Sequence, residues 1–205
     1  MTDDILKFKI IFLGDQGVGK SSILNRFAQD KFEPEYQATI GLDFHSKNAT
    51  INGANVRLLL YDTAGQEKFR SLSPSYLRNT DSVILLYDIT NQETFDHVTN
   101  WMATINQYTT KNLSTILVGN KIDMENERKV EKEDGEIMAK QYNIMFGEAS
   151  AKEGKGVDEI FERLANDIME KNGKGSENNE GGVTLEEGKK KDQKGCCGGN
   201  RDKKE

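Results

Sequence analysis

Short apolar runs alternating with helix-period segments predict an α/β fold, a mostly parallel six-stranded sheet with helices on both faces. Three observations carry that reading. Strand-like runs fall at 9–13, 44–51, 56–61, 82–88, 115–119 and 144–146, and helical patterns at 22–28, 92–108, 132–141 and 157–170 lie between or after most of them. The runs around 83–87 and 116–118 are apolar at every position, as strands covered on both faces are. A glycine-rich stretch joins the first run to the first helix, and in open sheets of this kind the ligand lies at the carboxyl ends of the strands.

Taken in order, residues 1–7 lead directly into the first apolar run, which is far too short to span a bilayer, so neither a signal peptide nor a membrane span is expected. The run 44–51 is followed by Asn52-Gly53, the turn chemistry of a hairpin into Val56, and so reads as an added strand. In the segment 92–108, Val98, Trp101 and Ile105 share helical spacing, which assigns Trp101 to packing. The last helix places Val157, Ile160, Phe161, Leu164 and Ile168 on one face. After Lys171 the composition turns to Gly, Glu, Asn and Lys with almost nothing apolar, so ordering this segment would not be repaid by burial. The expected organisation is one domain over 1–171 and a flexible tail over 172–205.

Composition bounds the function. With 205 residues, 30% charged and 35% hydrophobic, the chain has the profile of a soluble globular protein with an ample core. A net charge of −6 and the lack of a long basic stripe in the first 170 residues argue against nucleic acid as a partner. The only cysteines, Cys196 and Cys197, are adjacent and lie in the tail, where neither a structural disulfide nor a zinc site is expected.

Four segments carry chemistry. Gly14-Asp15-Gln16-Gly17-Val18-Gly19-Lys20-Ser21, between strand and helix, is a phosphate cradle. Its glycines let backbone N–H groups wrap a phosphate chain, Lys20 adds a positive charge, and Ser21 offers a hydroxyl to a phosphate-bound Mg²⁺. Asp62-Thr63-Ala64-Gly65-Gln66 follows a strand; its acid can hold Mg²⁺ through a water, and Gly65 with Gln66 can track a γ-phosphate and orient an attacking water. Asn120-Lys121-Ile122-Asp123 follows a buried strand and selects the base. The Asp123 carboxylate can accept from the N1–H and 2-amino groups of guanine, a donor pair that adenine lacks. Ser150-Ala151-Lys152 can close the same pocket with backbone N–H groups.

These four segments, with Thr39 inside Tyr36-Gln37-Ala38-Thr39-Ile40-Gly41, resemble the guanine-nucleotide motifs of the Ras-like small GTPases, whose fold is the P-loop NTPase small G domain. Ile40 to Phe44 (IGLDF), DTAGQEKFRSL from Asp62 and LYDIT from Leu86 look like Rab segments, and the resemblance covers about residues 7 to 171. YQATIGLDF, SPSYLRNT and IMFGEASAKEG are similar to the six-type Rabs of Golgi traffic.

The resemblance implies a GTP hydrolase that binds GTP or GDP with Mg²⁺ and switches vesicle traffic on the cytosolic face of endomembranes, cycling with the cytosol. Lys20 and the loop carrying Asp15, Gln16, Gly17, Val18, Gly19, Ser21 and Ser22 would hold the phosphates, with Tyr36 also on the nucleotide. Ser21 and Thr39 would be direct Mg²⁺ ligands and Asp62 an outer-shell one; Thr39 and Gly65 would sense the γ-phosphate, and Gln66 would be catalytic. Phe32, Asn120, Lys121, Asp123, Ser150, Ala151 and Lys152 would surround the guanine. Two switch segments, about 31–44 and 62–78, would order with GTP and release with GDP. Ile40, Gly41, Phe44, Tyr61 and Tyr76 would form the effector surface of a monomer. The implied partners are an exchange factor, a GTPase-activating protein and effectors. A GDP-dissociation inhibitor and a prenylation escort join them if the tail is lipidated.

The chain departs from the pattern in places. Tyr61 stands where Rabs usually have tryptophan, which bears on partner choice, and Gln16 places a long side chain near the γ-phosphate, where crowding would slow hydrolysis. No arginine occurs in the cradle or directly before Thr39, so the expected intrinsic turnover is slow, on the order of 10⁻⁴ to 10⁻³ per second, and accelerated by a partner's arginine. Rabs typically end at or near a doubly geranylgeranylated cysteine pair; here residues 198–205 follow Cys196 and Cys197, there is no CaaX ending, and Lys189 to Lys191 offer charge to an anionic leaflet. His45 and His97 belong to no ligand-spaced cluster and read as surface or packing residues. Two alternatives stand beside the GTPase: a P-loop ATPase or nucleoside kinase, disfavoured by Asp123, and a module that holds nucleotide with little hydrolysis, disfavoured by Gln66.

Overall fold

The structure, a computed structural model, describes residues 5–35, 39, 42–51, 53–63, 77–109 and 113–177. Strand β1 (Leu6–Leu13) feeds helix α1 (Lys20–Gln29), and β2 (Leu42–Ile51) pairs antiparallel with β3 (Ala54–Thr63). Then follow β4 (Ser82–Asp88), α2 (Gln92–Asp96), α3 (Val98–Tyr108), β5 (Ser114–Asn120), a 3₁₀ segment (Ile122–Glu127), α4 (Lys132–Gln141), β6 (Met145–Ala149) and α5 (Val157–Glu177). The sheet order is β2-β3-β1-β4-β5-β6, and every pairing other than β2 with β3 is parallel. The chain moves from β1 to one side and then crosses to the other, so the carboxyl end of β1 lies at the switch point where such sheets bind ligands.

Alternating residues divide the core between the two faces. Ile10 and Phe12 of β1 pack with α1 and α5 through Ile23, Leu24, Phe27, Phe161 and Leu164. Ile11 and Leu13 face the other way, with α2 and α3 supplying Phe95, Val98, Trp101 and Ile105. Strands β4 and β5 are buried at every residue, which is why they read as unbroken apolar runs. On the first face Phe161 stacks on Phe27, with ring centroids 3.5 Å apart and planes within 7°, and meets Phe12 at 6.1 Å.

All six expected strands are present, and β4 and α4 coincide with their predicted spans. Three elements differ from expectation. The expected helix 92–108 is two helices that meet at His97, whose N–H bonds the Glu93 carbonyl and whose carbonyl accepts from Asn100 and Trp101. The run at 144–146 is a strand from Met145 to Ala149, extended by pairing with β5 across Gly147 and Glu148, which carry no apolar signal. Helix α5 continues to Glu177, past the last apolar residue that marks it in the sequence.

Replacing Phe161 by Ala removes a ring wedged between two others, and we expect a loss of about 3–5 kcal/mol in denaturant unfolding of the GDP-bound protein. Phe161→Leu should lose clearly less; equal losses would contradict the stacked arrangement.

Candidate nucleotide-binding site

The loop after β1 turns on backbone that only glycine adopts without strain. Gly14 has φ 133° and its missing side chain leaves room for the Leu86 carbonyl, 2.3 Å from where a Cβ would sit. Gly19 has φ 94° and a Cβ there would lie 2.2 Å from the Asn120 amide nitrogen. Beneath this loop the Lys20 side chain is 5% exposed and its ammonium donates to the carbonyls of Gly14 (3.0 Å) and Asp15 (2.8 Å). Burial drives its pKa down to about 8, against the opposing pull of Asp62 and Asp15.

A cluster of oxygens stands beside the lysine. Ser21 Oγ and Thr39 Oγ1 are 2.7 Å apart, Ser21 donates a short hydrogen bond to Asp62 Oδ2, and Thr39 donates to the same oxygen at 3.2 Å. Asp62 is 2% exposed, and its Oδ1 has no hydrogen-bond partner among the described residues. Burial pushes the Asp62 carboxyl up, with the Ser21 and Thr39 hydrogen bonds and the Lys20 charge acting the other way. Two hydroxyls and a carboxylate with a spare oxygen form an all-oxygen donor set that suits a hard divalent cation such as Mg²⁺.

The base end is built from the ends of β5 and β6. The Asn120 side chain is buried; its Nδ2 donates to the Val18 carbonyl at 2.8 Å and its Oδ1 accepts from the Ala151 N–H at 3.3 Å. It therefore ties the phosphate loop to the 150–152 loop. Lys121 adopts positive φ (73°) and anchors its ammonium on Asp88 Oδ2 at 2.6 Å. Asp123 accepts from Ser150 Oγ at 2.6 Å, and the Lys152 ammonium lies 3.7 Å from its other oxygen.

One cavity of about 730 Å³ connects these groups, lined at its phosphate end by Gln16, Gly17, Gly19, Lys20, Ser21, Ser22, Thr39 and Asp62 and at its base end by Phe32, Asn120, Lys121, Asp123, Ala151 and Lys152. That volume suits a nucleotide. Three expected contact residues stand back from the cavity. Val18 is packed in the core and offers its carbonyl to Asn120, Ser150 orients Asp123, and the Asp15 side chain turns away toward α3. Tyr36, Ile40, Gly41, Gly65, Gln66, Tyr76, Cys196 and Cys197 lie outside the described residues. Phe44 and Tyr61 are cross-strand partners with ring centroids 5.1 Å apart, Phe44 is 50% exposed, and the Lys9 ammonium sits 5.0 Å from the Tyr61 ring.

The sequence did not reveal the contacts of three contributors. Arg26 of α1 donates to the carbonyls of Ala151 and Lys152, each at 2.9 Å, and so holds the base loop. His97 and Trp101 both bond the Asp15 carboxylate, whereas the sequence assigned them to surface or packing roles. Trp101 does pack in the core, as expected. Both sets of contacts join residues more than 80 positions apart, and no local pattern records them.

A phosphate loop, a divalent-cation donor set and a guanine-selective carboxylate on this sheet define the class of small guanine-nucleotide-binding G domains. The sequence matches the Ras family over residues 9–170. It is 45% identical over 203 residues to the Ras-related protein Rab-18-B of Danio rerio, covering 97% of this chain and 98% of that protein. It is 43% identical over 166 residues to Rab-13 of Bos taurus, covering 81% of this chain and 82% of that protein. The chain belongs to the Ras family and, within it, to the Rab small GTPases. It is accordingly a GTP hydrolase that binds GTP and GDP with Mg²⁺ and works in vesicle traffic.

The depressed Lys20 sets a pH dependence. Between about pH 8 and 10.5 the unfolded chain holds the lysine proton that the folded, nucleotide-free chain has lost, so raising pH through this window stabilises the fold. The slope should approach about 1.4 kcal/mol per pH unit. Urea unfolding of nucleotide-free protein between pH 7.5 and 10 should show this rise, and Lys20→Met should remove it.

Proposed function

We propose that this protein is a Rab switch whose nucleotide state is read by two segments that meet the γ-phosphate, with its working membrane in the Golgi region. The observation that carries the site assignment is that one cavity holds the Lys20 ammonium, the Ser21, Thr39 and Asp62 oxygens and the Asp123 carboxylate. The Golgi reading is supported by YQATIGLDF, SPSYLRNT and IMFGEASAKEG, which are similar to the six-type Rabs.

In this reading the backbone N–H groups of 15–22 and the Lys20 ammonium bind the β- and γ-phosphates. Ser21 and Thr39 would be the direct ligands of Mg²⁺, with Asp62 behind them. An ion held there would supply positive charge against the phosphate oxygens. Asp123, fixed by Ser150, accepts from the guanine edge, and Phe32 and the Lys121 stem wall the ring. Gln66 orients the attacking water. Ser21, Thr39 and Asp62 already contact one another, and in this switch Thr39 would be the member of the donor set that answers to the γ-phosphate.

The exposed Phe44 with Tyr61 belongs to the effector surface, to which the family resemblance also assigns Ile40, Gly41 and Tyr76. The tail over 172–205 carries Cys196 and Cys197 as acceptors of two geranylgeranyl groups, the number that stable anchoring requires. Exchange factor, GTPase-activating protein, GDP-dissociation inhibitor and prenylation escort are the partners of that cycle.

The purified protein should carry GDP, and single-turnover phosphate release from GTP should run on the order of 10⁻⁴ to 10⁻³ per second. Gln66→Leu should slow release at least about tenfold without weakening GDP binding. No release from the unmodified protein, even with candidate activators, would contradict the assigned site. Asp123→Ala should weaken GDP by about a hundredfold or more in equilibrium titration, since it removes two hydrogen bonds to a charged acceptor. The mass of the C-terminal peptide from native cells should show two isoprenoids on Cys196 and Cys197; free thiols there would remove the anchoring proposal.

A further inference from the structure

Asp15 is the one acid in the phosphate loop 14–21, and an acid there is an electrostatic liability. A carboxylate free to swing into the cavity would compete with phosphate for the Lys20 ammonium and repel the incoming anion. It is not free to do so. His97 Nδ1 lies 2.5 Å from Asp15 Oδ2, and Trp101 Nε1 donates to Oδ1 at 2.9 Å, so both oxygens are engaged on the side away from the cavity. The Asp15 side chain is 16% exposed and does not line the cavity, although its neighbours Gln16 and Gly17 do. Its carbonyl points inward and accepts from the same Lys20 ammonium at 2.8 Å. One residue thus joins the lysine to the α2–α3 junction.

The two donors are themselves fixed. Trp101 is 4% exposed and embedded among core residues, so its indole is a rigid post. His97 sits at the break between two helices, held by its backbone bonds to Glu93 and Trp101. Gly14 and Gly17, at positive φ on either side of this stretch, give the loop no stiffness of its own.

We propose that His97 and Trp101 are positioning residues for nucleotide retention, acting through Asp15 to hold the loop in the geometry that grips phosphate. The proposal rests on guanine-nucleotide binding, which the wild-type off-rate reports separately. The test is the rate at which full-length protein loses fluorescent GDP in the presence of Mg²⁺. His97→Ala should release GDP about tenfold faster, as loss of a charge-assisted hydrogen bond predicts, and Trp101→Phe, which keeps the ring and deletes the donor, should release it severalfold faster. His97→Gln, which retains a donor, should recover most of the wild-type rate. In an Asp15→Ala background neither change should add an effect, since the tethered group is gone. Wild-type release by both single variants would overturn the proposal. So would an acceleration of equal size in the Asp15→Ala background, which would mark a packing effect with no route through the loop.

Discussion

The Lys20 ammonium, buried under a loop of backbone, is the group around which the site is arranged. A cation out of water requires compensation, and two carbonyls of the loop supply part of it. They do not supply all of it, as the drop of its pKa to about 8 records. The glycines follow from the same constraint, because a loop that curls its carbonyls under and its N–H groups outward must visit positive φ. Asp62 is the counterpart across the cleft, a buried acid with one oxygen engaged by two hydroxyls and the other facing no described donor. Apart from its ligand the site holds a cation short of anions beside an acid short of cations. A phosphate chain with a divalent ion supplies both.

The base pocket is not separate from this arrangement. Asn120 bonds the phosphate loop with one end of its amide and the base loop with the other, and Arg26 reaches from the helix that begins with Lys20 to the carbonyls of Ala151 and Lys152. The phosphate loop and the base loop are therefore held by side chains of β5 and α1. Occupancy at the base end is coupled to the shape of the phosphate end, which is what a switch retaining its nucleotide for long periods requires.

Much of the fold is legible because its two central strands are buried on both faces and leave unbroken apolar runs, while α5 repeats its apolar face at helical spacing. The phosphate, metal and base segments are legible because backbone geometry and ligand chemistry leave few residue types open to them. The weak strand β6 and the break at His97 are less so: neighbour pairing lengthens one, and no residue spacing marks the other. The bonds of Arg26, His97 and Trp101 left no local signal, since their partners come from loops that the topology alone brings near.

If Lys20 waits for phosphate, then nucleotide should bring its proton back. Calorimetric titration of nucleotide-free protein with GDP and Mg²⁺ at pH 9, repeated in buffers of differing ionisation heat, counts protons taken up on binding. Most Lys20 side chains are neutral amines at that pH when the pKa is about 8, and the phosphate charge restores the ammonium form, so uptake of nearly one proton is predicted. Binding with no proton uptake would mean that the lysine is already charged in the empty site and that the electrostatic account given for it is wrong.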